Sequence, residues 1–176
     1  MEKTHLVKQR LKKGQLEGYN REIYEIKGGE WMGTQNSAMP VKIKLKSAIQ
    51  HPGQETDKYE LEIEGTIVEK AGSRYLRYEE EQNRELIKTM IKLDPEDAIV
   101  MRTGAIRMRL PFKLNDKRVG TYANGPLAMD LIVVTKALFI KSEQKAGEFH
   151  VHYDMHSEQS LLGSYQLTIH YAEGTL

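Results

Sequence analysis

"VKIKLKSAIQ" (residues 41–50) and "KYELEIEGTIVEK" (residues 58–70) decide the fold. In the first, Val41, Ile43 and Leu45 alternate with Lys42, Lys44 and Lys46. In the second, Tyr59, Leu61 and Ile63 alternate with Glu60, Glu62 and Glu64. Successive side chains of a strand point to opposite faces, so a period of two leaves one face apolar and the other charged. That is the signature of a half-buried antiparallel strand. The same period recurs in "ELIKTMIKL", "AIVMR", "AIRMRLPF", "LAMDLIVVTKALFIK", "EFHVHYDMH" and "SYQLTIHYA". Turn signals separate the runs: "HPGQ", "KAGS", "DPED", "TG", "LNDK", "ANGP", "KAGE" and "SEQS". No helical period interrupts them. Eight to ten short-linked strands predict an all-β protein, an antiparallel up-and-down barrel whose closure removes exposed sheet edges. A two-sheet sandwich is the structural rival.

Composition narrows the function classes. The 176 residues suit a single domain, and 26 Lys and Arg against 25 Asp and Glu leave a net charge of +1. Nucleic-acid binders concentrate basic charge on one face, and no such surplus is present, so no nucleic-acid partner is expected. The chain has no Cys, which removes disulfides, thiolate nucleophiles and Cys-ligated zinc together. No apolar run approaches the length of a membrane helix, and the first residues lack a signal-peptide core. The expectation is a soluble, cytoplasmic protein with no membrane partner.

Residues 1–31 differ in character. Leu6, Val7, Leu11 and Leu16 are spaced loosely as on a helix, but glycines interrupt them and the apolar face is thin. They are read as an N-terminal extension, either a short helix or a disordered tail, with a single β-barrel domain over 32–176. "KGGEWM" (residues 27–32) adds a third reading. Lys-Gly-Gly-Glu permits a purine-rich, ribosome-binding codon string at workable spacing before Met32, so translation starting at Met32 is expected.

The strand region also resembles a known family. "MPVKIKLKSAIQ", "YELEIEGTIVEKAGSRYLRYEEE", "MRTGAIRMRLPF", "GTYANGPLAMDLIVVTKAL" and "GSYQLTIHY" are similar, in this order, to the YwiB-like β-barrel proteins of Gram-positive bacteria. The resemblance covers nearly all of residues 39–171 and implies a calycin- or lipocalin-like barrel of uncharacterised function. It carries no active-site residues across.

Candidate sites must therefore come from the residues themselves. "RYLRYEEE" places Tyr75, Arg77 and Glu79 on one face and Leu76, Tyr78 and Glu80 on the other. Either choice sends an aromatic and a charge inward, where low dielectric strengthens a polar contact to a ligand. With Met108 and Phe112 as apolar contacts, Arg77 and Tyr78 form the expected ligand-binding set. Strand phase sends Leu61, Ile63, Ile67, Met108, Leu110, Phe112, Leu131, Val133, Val151, Tyr153, Leu167 and Ile169 inside, which predicts a narrow apolar interior. Arg107 and Arg109 fall on the outward phase, with "EIE" and "YEEE" to supply acidic partners. "EEEQNRE" (residues 79–85) reads as an acidic, solubilising turn.

Catalysis finds little support. The chain has no G-x-S-x-G elbow, no phosphate-cradling glycine loop and no H-E-x-x-H pattern. No cofactor is implied, and the sequence assigns no oligomeric state. A barrel binding a small hydrophobic or amphipathic ligand is favoured over an interaction or structural barrel with a filled core, and both over an enzyme.

His150, His152 and His156 share one strand face, and a hairpin at "SEQS" would bring His170 near them. Converging imidazoles could hold zinc or nickel. Their strand neighbours Phe149, Val151, Tyr153 and Met155 carry the core phase, however, so the histidines face outward and no metal site is expected. Replacing His150, His152 and His170 together by Gln should leave the metal content of purified protein unchanged and alter stability by no more than about 0.5 kcal/mol per site. Metal analysis with a thermal melt checks both.

Overall fold

The computed structural model describes residues 4–8, 38–158 and 160–175, the first five by their backbone alone. Among the described residues eleven strands follow one another: β1 (Thr4–Lys8), β2 (Ala38–Gln50), β3 (Asp57–Lys70), β4 (Ser73–Gln82), β5 (Glu85–Lys92), β6 (Ala98–Gly104), β7 (Arg107–Phe112), β8 (Lys117–Asn124), β9 (Leu127–Ser142), β10 (Ala146–Ser157) and β11 (Ser160–Glu173). From β2 onward each strand pairs antiparallel with the next. β11 then returns to β2, from Ser164 opposite Gln50 to Glu173 opposite Val41. The result is a closed ten-stranded up-and-down barrel, and the sandwich alternative falls. β1 stands outside the ring, pairing in parallel with Lys58–Glu62 of β3. The rest of the extension, and the start expected at Met32, lie outside the described residues.

Turn chemistry explains several connections. Ala71 and Gly72 both have positive φ between β3 and β4, as do Asn83 and Arg84 between β4 and β5. Paired left-handed residues match the right-handed twist of the strands they join. The second of these two-residue turns means that Glu79–Gln82 belong to β4. The stretch read as a seven-residue acidic turn is therefore mostly strand. On the outer face, Lys44 meets Glu62 and Lys46 meets Glu60, directly across the β2–β3 ladder. Glu79 meets Lys88, so Glu62 and Glu79, two of the acids expected to serve Arg107 and Arg109, pair with lysines instead. β9 and β10 slip register between His152 and Tyr153.

The inside is divided along the barrel axis. At the end holding the β3–β4 turn, Val41, Ile43, Ile63, Leu76, Ile91, Val133, Phe149, Val151 and Ile169 are fully covered. Tyr171 lies over Gly147 there, occupying the space that a Cβ would need. Every residue assigned inward by strand phase is in this core or, for Met108 and Leu167, packed half-buried against it. Toward the opposite end the interior opens.

The opening begins at Gly65. β3 and β4 pair only from Lys70 opposite Ser73 to Gly65 opposite Tyr78, and beyond that point they separate. A Cβ on Gly65 would stand 2.5 Å from both the Arg77 carbonyl oxygen and Ile43 Cδ1. Backbone and a packed core side chain must both give way to it. Gly65→Ala should therefore destabilise the fold by about 1–3 kcal/mol, seen as a lower urea midpoint with unchanged slope.

Candidate functional site

The cavity lies in the half of the barrel where β2 ends and β3 begins, and its volume is about 610 Å³. That falls within the roughly 300–1,000 Å³ typical of small-molecule pockets. Strand register builds its wall. Tyr78 lies opposite Thr89, Thr89 opposite Arg102, Arg102 opposite Met108 and Met108 opposite Tyr122, so five consecutive strands contribute one row. All five residues line the cavity. Glu80, one inward step beyond Tyr78, lines it as well.

The Glu80 carboxylate accepts a hydrogen bond from the Arg102 guanidinium, making an ion pair within the barrel. The Glu80 side chain is 10% exposed and that of Arg102 25%. Thr89 Oγ1 is buried beside this pair without a well-formed hydrogen bond. Across the cavity an aromatic chain runs outward from the core. Phe112 packs on Tyr153 at 4.8 Å between ring centroids, and Tyr153 stacks on Tyr165 at 5.2 Å and 13°. Tyr165 meets the edge of His51 at 6.2 Å. Nδ1 of His51 lies 2.8 Å from the Leu162 carbonyl oxygen, which fixes that ring at the rim.

Four phenols share one electrostatic setting. Burial raises the hydroxyls of Tyr59, Tyr78, Tyr153 and Tyr165 above the ordinary phenol value. The positive charge of Arg102 opposes the shift at Tyr59, Tyr78 and Tyr153 without reversing it. All four remain protonated at neutral pH and can donate as well as accept. The wall thus offers flat apolar surface, neutral hydroxyls and one internally compensated charge pair.

Of the residues expected to contact a ligand, Tyr78, Met108 and Phe112 line the cavity. Arg77 does not. Leu76 and Tyr78 take the inward phase of β4, which turns Arg77 to the outer face, half-buried with its Nε covered and unpaired. Arg102 is the inward cation. Its signal was in "AIVMR", where it shares phase with the apolar Ala98 and Val100.

The histidines face outward. Nδ1 of His150 lies 2.7 Å from Thr168 Oγ1, and Nε2 of His152 lies 3.1 Å from Ser164 Oγ. His170 stands opposite Glu148, at 3.8 Å, and not opposite another histidine. Among the described residues no group of three or more His, Asp or Glu is placed to hold a metal ion. Arg107 and Arg109 are exposed on the outside of β7. Among the described residues no helix is long and apolar enough to cross a membrane.

Removing one partner of the interior pair leaves the other charge buried and uncompensated, a loss of about 3–5 kcal/mol for fully enclosed pairs. Arg102→Leu should fall near the lower end of that range, because the cavity gives Glu80 some access to water. Glu80→Gln combined with Arg102→Leu should recover most of the loss. Chemical denaturation of the two variants provides the measurement.

Comparison with known proteins places this geometry. A family model described as a domain of unknown function (DUF1934) matches residues 43–169. The chain is 27% identical over 136 residues to the uncharacterized β-barrel protein YwiB of Bacillus subtilis, covering 77% of this chain and 95% of that one. The crystal structure of the Bacillus subtilis ywiB protein superposes with a TM-score of 0.70 at 27% identity, over 78% of this chain and 94% of the other.

Proposed function

The chain belongs to the DUF1934 family of β-barrel proteins, and from that premise we propose that it binds a small amphipathic molecule inside the barrel. One observation carries the reading. About 610 Å³ of the interior is left unfilled, and its wall combines apolar and aromatic side chains with a Glu80–Arg102 pair and five tyrosines. Pockets that bind small molecules share this make-up, a largely apolar surface with a few convergent polar groups. The filled-core alternative suits the opposite half of the barrel, where Leu, Ile, Val and Phe leave the wall fully covered. It does not suit the half with the cavity.

The ligand would lay an apolar, planar body along Phe112, Tyr153 and Met108. Its polar group would face Arg102, Tyr78 and Thr89. Arg102 has hydrogen-bonding capacity left, since a guanidinium has five N–H donors and Glu80 does not engage them all. Acid–base catalysis is not part of the proposal: Glu80 is tied to Arg102, and the phenols are held in their neutral form.

N-phenyl-1-naphthylamine, a neutral dye that brightens in apolar surroundings, tests the reading. Saturable binding at about micromolar concentration is expected. Met108→Trp, which fills the cavity from β7, should weaken it about tenfold. Native mass spectrometry of freshly purified protein should show a co-purified small molecule that this variant loses. Absence of saturable dye binding, or binding indifferent to Met108→Trp, would overturn the proposal.

A further inference from the structure

The charges on the cavity wall restrict what can enter, provided the ligand-binding reading holds. Among the described residues lining the cavity, Arg102 is the only base and Glu80 is the acid on the inward phase of β4, while Glu81 is exposed on the opposite phase. The one positive charge is already engaged, because the Glu80 carboxylate accepts from the Arg102 guanidinium. Glu80 cannot swing out to water without abandoning that contact, and its side chain is 10% exposed.

An anionic ligand has two ways to seat itself, and both are unfavourable. It can share Arg102 with Glu80, which puts two negative groups on one guanidinium in surroundings where water screens them weakly. Otherwise it sits away from Arg102, uncompensated, in an apolar pocket beside the Glu80 carboxylate. A cation fares little better, since Arg102 repels it and Glu80 is already paired. A neutral molecule disturbs nothing. The unused guanidinium donors and the protonated hydroxyls of Tyr78 and Tyr153 suit an acceptor such as a carbonyl oxygen or a ring nitrogen. The stacked pair Tyr153–Tyr165 and the tilted Phe112 ring provide flat faces for a planar body.

We infer that the cavity selects neutral, planar molecules bearing a hydrogen-bond acceptor, and that Glu80 is the specificity-determining residue that keeps carboxylates and other anions out. Glu80 does so by occupying the one cation among the described residues of the wall. The barrel is thereby set apart from a carrier of fatty-acid anions, for which a free interior arginine would be the natural anchor.

Two dyes of one scaffold test this. N-phenyl-1-naphthylamine is neutral, and 8-anilino-1-naphthalenesulfonate is the same ring system carrying a sulfonate. The wild-type protein should bind the neutral dye at least about tenfold more tightly than the sulfonate. Glu80→Gln, which keeps the shape and frees Arg102, should tighten the sulfonate by about tenfold or more and change the neutral dye by less than about threefold. Adding Arg102→Gln should abolish the gain for the sulfonate. Equal binding of the two dyes by the wild-type protein would overturn the inference while leaving ligand binding intact. A folded Glu80→Gln protein with unchanged sulfonate affinity would overturn it too. If neither dye binds, the ligand reading falls and this inference with it. Should Glu80→Gln not fold, the wild-type ratio alone decides.

Discussion

Everything in this molecule depends on the closure of β11 onto β2. Ten residue pairs, from Ser164 opposite Gln50 to Glu173 opposite Val41, join strands separated by more than a hundred residues. Without that ladder the meander would be an open sheet with two edges, and its apolar face would have nothing to pack against. Once it forms, every alternate side chain is committed to an enclosed interior. The lysine and glutamate rows of β2 and β3 become an outer face of cross-strand pairs. Those pairs are exposed and individually weak, so they favour the pairing without driving it. Burial of Val41, Ile43, Leu61 and Ile63 is the larger contribution, at about 1.5–3 kcal/mol for each fully covered side chain.

The enclosed interior is used in two ways. One half is filled mainly with aliphatic side chains, Phe149 and Tyr171, and nearly excludes solvent. The other half receives an ion pair and a cluster of tyrosines around the cavity. Stability does not account for the contrast. Replacing buried ion pairs by well-packed apolar residues is often neutral or stabilising, and the filled half demonstrates that this chain can supply such residues. The polar half therefore carries a cost that folding does not require, which is the physical ground for reading it as a recognition surface.

Gly65 connects these two halves. It marks the last pairing of β3 with β4 before the strands part. On one side of it lies the complete ring around the filled core. On the other, the free edge of β3 is taken up by the backbone of β1 between Lys58 and Glu62, and β4 continues paired to β5. Tyr59 from the separating part of β3 and Glu80, Glu81 and Gln82 from β4 all line the cavity. The polar pocket lies where the ring is locally split, and a side chain as small as methyl at Gly65 would disturb both.

Sequence exposes most of this and conceals one part for a definable reason. Alternation is a local property, so the strands, the barrel class and the inward set from Leu61 to Ile169 could all be read from neighbouring residues. The tighter turns were legible where Gly marks them, as in "KAGS". They were not legible at Asn83–Arg84, where an arginine adopts a left-handed conformation that it seldom favours. Reading residues 79–85 as a turn leaves Glu80 out of the expected set, although "RYLRYEEE" already places it in phase with Leu76 and Tyr78. The expected cation then settles on the nearest arginine, Arg77, although Tyr78 and Leu76 already claim the inward phase. Phase in "AIVMR" already turns Arg102 inward with Ala98 and Val100, but its place beside Tyr78 and Glu80 is set only by register. It lies two strands away from Tyr78, brought into the same row by Thr89 of β5, and no local pattern encodes that alignment. The apolar wall is a matter of periodicity; the charge pair at its centre is a matter of which strands meet, and where each begins.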